Sequence, residues 1–200
     1  MWPWGHVAFA YVCYSLGSRA LVREPPAGRE ALVVAVAALG PDLLDKPLSW
    51  GLGVFPTGNA LGHSAFVALP AGLAVLALGQ RYGRRREAAA AVVGYWTHLV
   101  GDVGFGALVS GDLDLGAVLW PLVAREPYAT DEGLVGRTLR YLREFAADAA
   151  DGEFAAGVLL VAYVAPSAVA LALWLLDGRP GPGTLRRLVA RLRRTAAGTA

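Results

Sequence analysis

The stretch AAAAVVGYWTHLVGDVGFGALV, residues 88 to 109, decides how this chain is read. It is apolar and long enough to cross a bilayer, which takes about 20 helical residues, yet it carries His98 and Asp102 in its interior. A carboxylate at the centre of a membrane helix costs about 2.5–3.5 kcal/mol on insertion scales, so such groups are kept where they pair, bind ions or do chemistry. Four residues of helix put His98 and Asp102 on one face, about 6 Å apart along the axis, within reach of a single centre.

Four more apolar segments accompany it: Trp4 to Val22, Ala31 to Leu44, Leu61 to Leu78 and Phe154 to Leu176. The chain has 200 residues, of which 56% are hydrophobic, and a mean hydropathy of +0.46. That composition argues against an ordinary soluble domain and predicts an all-α, multi-pass transmembrane helix bundle of about five spans. The first segment lacks the basic start of a signal peptide and reads as a retained span. Gly40-Pro41 interrupts the second, and because proline removes a backbone donor, a broken or re-entrant helix is expected there. In residues 110 to 153, Val135, Leu139, Leu142, Ala146 and Ala149 recur at helical steps while Arg137, Arg140, Arg143 and Glu144 take the other faces. This pattern predicts an amphipathic interfacial helix that lies on the bilayer or caps the bundle. DGRPGPG, residues 177 to 183, then ends the last span, separating a bundle of residues 1–178 from a basic tail of residues 179–200. Cys13 is the only cysteine, which excludes an intramolecular disulfide and leaves it as a packing residue.

Basic residues gather at Arg81, Arg84, Arg85 and Arg86, and again at Arg186, Arg187, Arg191, Arg193 and Arg194. If the first cluster is cytoplasmic, five spans also put Arg23, Arg29 and the C-terminal tail inside, and the N-terminus outside. A multi-pass protein of the cell membrane follows, with membrane lipids as expected partners of the Arg clusters and no nucleic acid expected. In that topology His6, Asp42, Asp45, His63, His98 and Asp102 all converge in the outer half of the bundle. The charge argument made no use of them, so the convergence is independent support for a site.

Imidazole and carboxylate together suit zinc first, with manganese or iron(II) as alternatives. A catalytic zinc takes three protein ligands and keeps an open position at which water is activated. Six candidates exceed one such shell, so either carboxylates bridge two metals, or one metal is bound and a spare Asp acts as base or orients a ligand. His63, His98 and Asp102 are the primary expected ligands, Asp42 is a ligand or bridge, and His6 completes the set. Asp45 is expected as base or orienting partner, and Lys46 and Arg125 as holders of an anionic substrate group.

GPDLLDKP (Gly40–Pro47), LGHS (Leu61–Ser64), HLVGD (His98–Asp102) and LWPL (Leu119–Leu122) occur in that order. Their order and spacing resemble the YdjM-type, LexA-regulated, membrane-bound metal-dependent hydrolases of bacteria and archaea, over roughly residues 1 to 125. The resemblance implies a multi-pass hydrolase whose metal is carried by His6, Asp42, His63, His98 and Asp102. A distant likeness to zinc-dependent phospholipase C implies phosphoester or lipid-linked substrates, by analogy alone. The chain departs from the family pattern at Gly62-His63, where an Arg or a second His often precedes the motif's Ser. It also carries GDVGFGALVSGDLDLG (Gly101–Gly116) ahead of its Trp-Pro.

Other classes fare less well. PTGNALGHS and HLVGD echo the type-2 phosphatidic acid phosphatases, but the Lys-Arg-Pro signature and the Arg before the terminal HxxxD are absent, and that chemistry needs those cations. No HExxH of a zinc protease occurs. An ion or proton transporter needs polar residues on a route to both faces, whereas the inner halves of the spans read as little but Ala, Val and Leu. The expectation is thus a hydrolase of an ester or phosphoester, small or lipid-linked, with a transporter or a noncatalytic membrane scaffold as alternatives.

Overall fold

Prolines, glycines and one reciprocal side-chain contact set the helix ends. Pro3 opens α1 (Pro3–Leu21), where its missing N–H would have had no helical partner. Glu30 reaches back to accept the Ala27 N–H at 3.0 Å and starts α2 (Gly28–Lys46). A wide π-helical turn, Pro47–Gly51, follows directly. Next come α3 (Ala65–Arg81) and α4 (Arg85–Ser110). α4 stops at Gly111, whose φ of 79° forms a left-handed cap with its N–H on the Ala107 carbonyl. Helices α5 (Gly133–Ala150), α6 (Ala165–Leu176) and α7 (Pro182–Ala197) complete the set. This computed structural model describes residues 1–123, 125–150, 157 and 160–197, and among them no strand occurs. The all-α class holds; the expected start of the last span at Phe154 lies outside the described residues.

The expected break at Gly40-Pro41 is corrected: α2 runs through Pro41 without interruption. Tertiary packing outweighs the lost donor, because the backbone of Gly62 lies against Pro41, leaving no room for a β-carbon. The helix yields only at Pro47. As a result Asp42, Asp45 and Lys46 keep helical spacing.

α4 is the central element and packs on α1, α2 and α3, while α6 packs on α1. Buried positions are small or polar, among them Ala10, Val34, Ala38, Ala90, His6, Ser15, Glu30, Asp45, His63 and His98. Large apolar side chains point outward, with Leu73 61% and Val36 65% exposed. That distribution inverts a soluble protein's and matches a bundle whose outer face meets hydrocarbon. Of the described helices, α4 with its 26 residues is long and apolar enough to cross a membrane, and α3 and α6 are apolar but shorter.

Two expectations about the remaining segments change. The helix ends away from the His/Asp cluster are not merely Ala, Val and Leu. Tyr14 donates to Glu30 at 3.1 Å, Arg86 Nε lies 2.9 Å from Glu30, and Asp177 accepts from Tyr11 and Ser15, each at 2.7 Å, and pairs with Arg19. Helix α5 does cap the bundle, packing on the Pro47–Gly51 turn, but Val135, Leu139 and Leu142 stay exposed. Its inward contacts are made by Phe145 on Trp2 and Trp4 and by Tyr141 on Trp50. Arg137 is buried with its guanidinium 3.7 Å over the Tyr128 ring.

α4 meets the backbone of α2 closely at Gly94, where a β-carbon would lie 2.6 Å from the Val34 carbonyl and 2.9 Å from Ala37. Gly94→Ala is expected to lower stability by about 1–3 kcal/mol through overpacking. Gly17→Ala, where a β-carbon meets nothing within 4 Å, is expected to be neutral or slightly stabilising. Unfolding of both variants in detergent, followed by circular dichroism, checks the pair.

Candidate metal centre

The site grows out of α2, the connection before α3, and α4, with α1 closing one side. Asp42 and Asp45 project from the last turn of α2, His63 closes the connection, His98 and Asp102 come from α4, and His6 from α1. All six sit in one cluster, and His6, Asp45, His63 and His98 are fully buried.

Two imidazoles define its centre. His63 Nδ1 is 2.8 Å from Asp45 Oδ2, and His98 Nδ1 is 2.6 Å from the Ala38 carbonyl oxygen. Both acceptors require the proton on Nδ1, so each ring turns an Nε2 lone pair inward. Those two Nε2 atoms are 3.1 Å apart. Two lone pairs cannot face each other at that distance unless a proton or a cation stands between them. Three carboxylates surround His63: Asp42 and Asp102 lie 3.4 Å and 3.5 Å from its Nε2, and Asp45 lies 2.8 Å from its Nδ1. The surroundings therefore demand a positive charge at this point.

Two carboxylate oxygens lie beside this pair of nitrogens. Asp42 Oδ1 is 3.4 Å from His63 Nε2 and 3.8 Å from His98 Nε2. Asp102 Oδ2 is 3.5 Å and 3.3 Å from the same atoms. A tetrahedral metal with bonds of about 2.0–2.2 Å separates neighbouring ligand atoms by roughly 3.3–3.6 Å. The donor set fits a divalent ion in type, and the 3.3–3.5 Å distances from Asp102 Oδ2 to both Nε2 atoms and from Asp42 Oδ1 to His63 Nε2 match that spacing. Asp42, His63 and His98 form one group able to hold a metal, and His6, His98 and Asp102 form another. His98 belongs to both and has one nitrogen left, Nε2, so it can serve only one of the two at a time.

His6 stacks on His98 with ring centroids 3.7 Å apart. Its Nε2 lies 3.2 Å from Asp102 Oδ1, and neither ring nitrogen makes a hydrogen bond. The terminal ammonium of Met1 contacts the same Asp102 oxygen at 2.7 Å. Lys46 Nζ stands 2.5 Å from Asp42 Oδ2, at the edge of the cluster. Arg125, expected beside Lys46, instead pairs with Asp114 in the connection after α4.

Asp45 faces away from the centre. Besides His63 Nδ1, it accepts the backbone N–H groups of Ala60 and Gly62 at 2.8 Å and of His63 at 3.2 Å. It orients His63 and ties down the connection, and its engaged oxygens speak for that role over a proton-accepting one. Ser64 belongs to the LGHS motif, but its partner is not legible in the chain: its hydroxyl donates to the Trp120 carbonyl at 2.5 Å, joining LGHS to LWPL. Tyr95 likewise donates to Gly62 at 2.8 Å. A serine between a buried histidine and a helix start is the available signal for the first contact; nothing marks the second.

A family model described as YdjM inner membrane protein matches residues 1–174, and the chain belongs to that family. The match extends past the motifs into the last turn of α6 and agrees with a membrane location. No curated protein and no solved structure matches the chain.

Because Asp45 satisfies three backbone donors and one imidazole, Asp45→Ala is expected to cost about 3–5 kcal/mol. It should also speed hydrogen exchange at the amides of Ala60, Gly62 and His63, read by mass spectrometry against wild type.

Proposed function

We propose that this member of the YdjM inner membrane protein family is a metal-dependent hydrolase of an ester or phosphoester, lipid-linked, acting at the outer membrane–water boundary. The observation that carries this reading is the pair of Nδ1-anchored imidazoles whose Nε2 atoms meet 3.1 Å apart between two carboxylates. His63, His98, Asp42 and Asp102 would hold the metal, zinc by preference, with manganese or iron(II) as alternatives. Once bound, such an ion supplies Lewis-acid polarisation and an activated water near neutral pH. Asp45 keeps His63 in the required tautomer, and Ala38 does the same for His98. Lys46, whose side chain is 28% exposed, offers a cation to an anionic substrate group. His6 holds an unused donor beside Asp102 and walls off the α1 side.

Five crossings, by α1, α2, α3, α4 and the segment ending with α6, would set the N-terminus outside and the tail inside. Of the 18 basic residues, only Lys46, Arg125, Arg137, Arg140 and Arg143 would then lie on the outer side, as the positive-inside rule favours. A transporter is less well supported, because buried Ala10, Val34, Ala38 and Ala90 stand between the metal cluster and the inner polar network. The scaffold reading differs from the hydrolase in one respect: it needs the fold, not turnover, to depend on the metal.

Elemental mass spectrometry of detergent-purified protein should find near-stoichiometric metal in wild type and loss of it in folded His98→Ala and Asp102→Ala. Asp45→Asn is expected to weaken metal binding about 10–100-fold. Hydrolysis of phosphoester and lipid-ester probes should fall with metal content. Metal-free wild type that stays folded after zinc or manganese is supplied overturns the hydrolase; unfolding on metal removal, with no turnover in any state, favours the scaffold. In a Cys13→Ser background, cysteines at Ser110 and Arg179 should be labelled from outside and from inside the cell, respectively, by a membrane-impermeant reagent.

A further inference from the structure

Helix α7 lies beyond the residues that the family model matches, and the metal cluster makes no use of it. Leu185, Leu188, Val189 and Leu192 follow the i, i+3, i+4, i+7 spacing of a single helical stripe. From Leu185 to Thr195 every residue is exposed, so the stripe is uncovered, with Leu192 at 70%. Arginines fill the other faces: at 100° per residue Arg186 and Arg193 border the stripe on one side and Arg191 stands toward the other. The helix has no acidic residue.

The root of α7 fixes where that stripe lies. Thr184 is buried against Gly28 at the start of α2 and leaves no room there for a β-carbon. Trp174 donates its indole N–H to the Pro180 carbonyl at 2.9 Å, holding the turn between α6 and α7. Around this root the helix ends are tied together, since Arg86 of α4 reaches Glu24 and Pro25 in the α1–α2 connection, and Arg19 of α1 pairs with Asp177 after α6. Exposed Arg23, Arg29, Arg81, Arg84 and Arg85 therefore rim the same end of the bundle, opposite the His/Asp cluster. Just above, Leu171, Leu175 and Leu176 of α6 face outward. Thus α7 begins where the apolar flank of the bundle gives way to a basic rim, which in a membrane protein is the level of the lipid head groups.

The occupant of the stripe must offer hydrocarbon in its middle and negative charge along its borders. Nucleic acid supplies only the charge. A second copy of α7 brings its own arginines against the first set. An anionic leaflet supplies both, acyl carbons for the leucines and phosphates for the arginines.

We propose that α7 lies in the head-group layer of an anionic leaflet, with Leu185, Leu188, Val189 and Leu192 among the upper acyl carbons and the flanking arginines on lipid phosphates. Through Thr184 and Gly28 it holds the start of α2 at a fixed depth.

The test uses the full-length protein in nanodiscs, in which both membrane faces meet the same solution. In a Cys13→Ser background a nitroxide is attached at Leu188→Cys, on the stripe, or at Ala190→Cys, which is 160° away on the helix and leaves every arginine in place. Collision of the label with oxygen, which concentrates in acyl chains, is compared with collision with a water-soluble nickel chelate. In discs of phosphatidylcholine with phosphatidylglycerol the oxygen-to-nickel ratio should be several-fold higher at 188 than at 190. It should fall toward the value at 190 in pure phosphatidylcholine, and likewise when Arg191→Gln, Arg193→Gln and Arg194→Gln are combined. Equal ratios at the two sites in phosphatidylglycerol discs put the stripe in water, free for a protein partner, and overturn the proposal. So does a high ratio at 188 that neither the lipid swap nor the glutamines change. Shielding of 188 from both reagents, with spin–spin broadening, assigns the stripe to a second copy and also overturns it. The lipid swap leaves the arginines untouched, so it decides the matter even if the glutamine variant loses helix.

Discussion

At Gly94 the backbone of α4 presses on Val34 and Ala37 of α2 with no space for a side chain, and one turn later His98 donates its Nδ1 hydrogen to the Ala38 carbonyl. The second contact is possible only because of the first. An imidazole spans only a few ångströms, so a helix held off by a larger residue at position 94 would leave His98 short of its acceptor and free to rotate. Pro41 contributes from the other helix. It cannot donate to the Ala37 carbonyl, which loosens the ladder of α2 next to the carbonyl that His98 uses. Close packing, a broken ladder and a fixed tautomer are thus one arrangement seen at three scales.

The interior carries its polar groups at two levels, separated by small apolar residues. At the level of His63 and His98 the groups lean on one another around a point that calls for positive charge. At the opposite helix ends Glu30 and Asp177 are met by Tyr14, Arg86, Tyr11, Ser15 and Arg19. The contrast is informative. A polar network of this kind holds helices together, whereas His6 stays buried beside the cluster with Nδ1 free of any hydrogen bond.

Much of this is legible in the chain because a charge inside an apolar run survives only where it pairs, binds an ion or reacts. The spacing of His98 and Asp102, the Asp42-Asp45 pair and the isolated His63 announce a common centre before any fold is known. The rest is hidden for identifiable reasons. Gly40-Pro41 looks like a break because local propensity says so, and the packing of Gly62 that overrides it is distant in sequence. Asp45 resembles a reactive carboxylate until its three backbone donors are seen, and main-chain amides leave no mark in a sequence. The inner network escapes notice because Tyr, Ser, Glu and Arg near helix ends look like ordinary interfacial residues. The aliphatic stripe of α5 suggests an inward face, but in a bundle bathed in hydrocarbon that stripe has no reason to turn inward, and aromatic residues dock the helix instead.

Asp45 joins the connection of residues 52–64 to the imidazole of His63 through a single carboxylate. The loop cannot settle without orienting the ring, and the ring cannot be oriented while the loop is open. The two therefore form one cooperative unit, and half-built versions of the centre gain little. While residues 52–64 are open, His63 lacks the carboxylate that fixes its ring, so its alignment with His98 and the closed loop arise together.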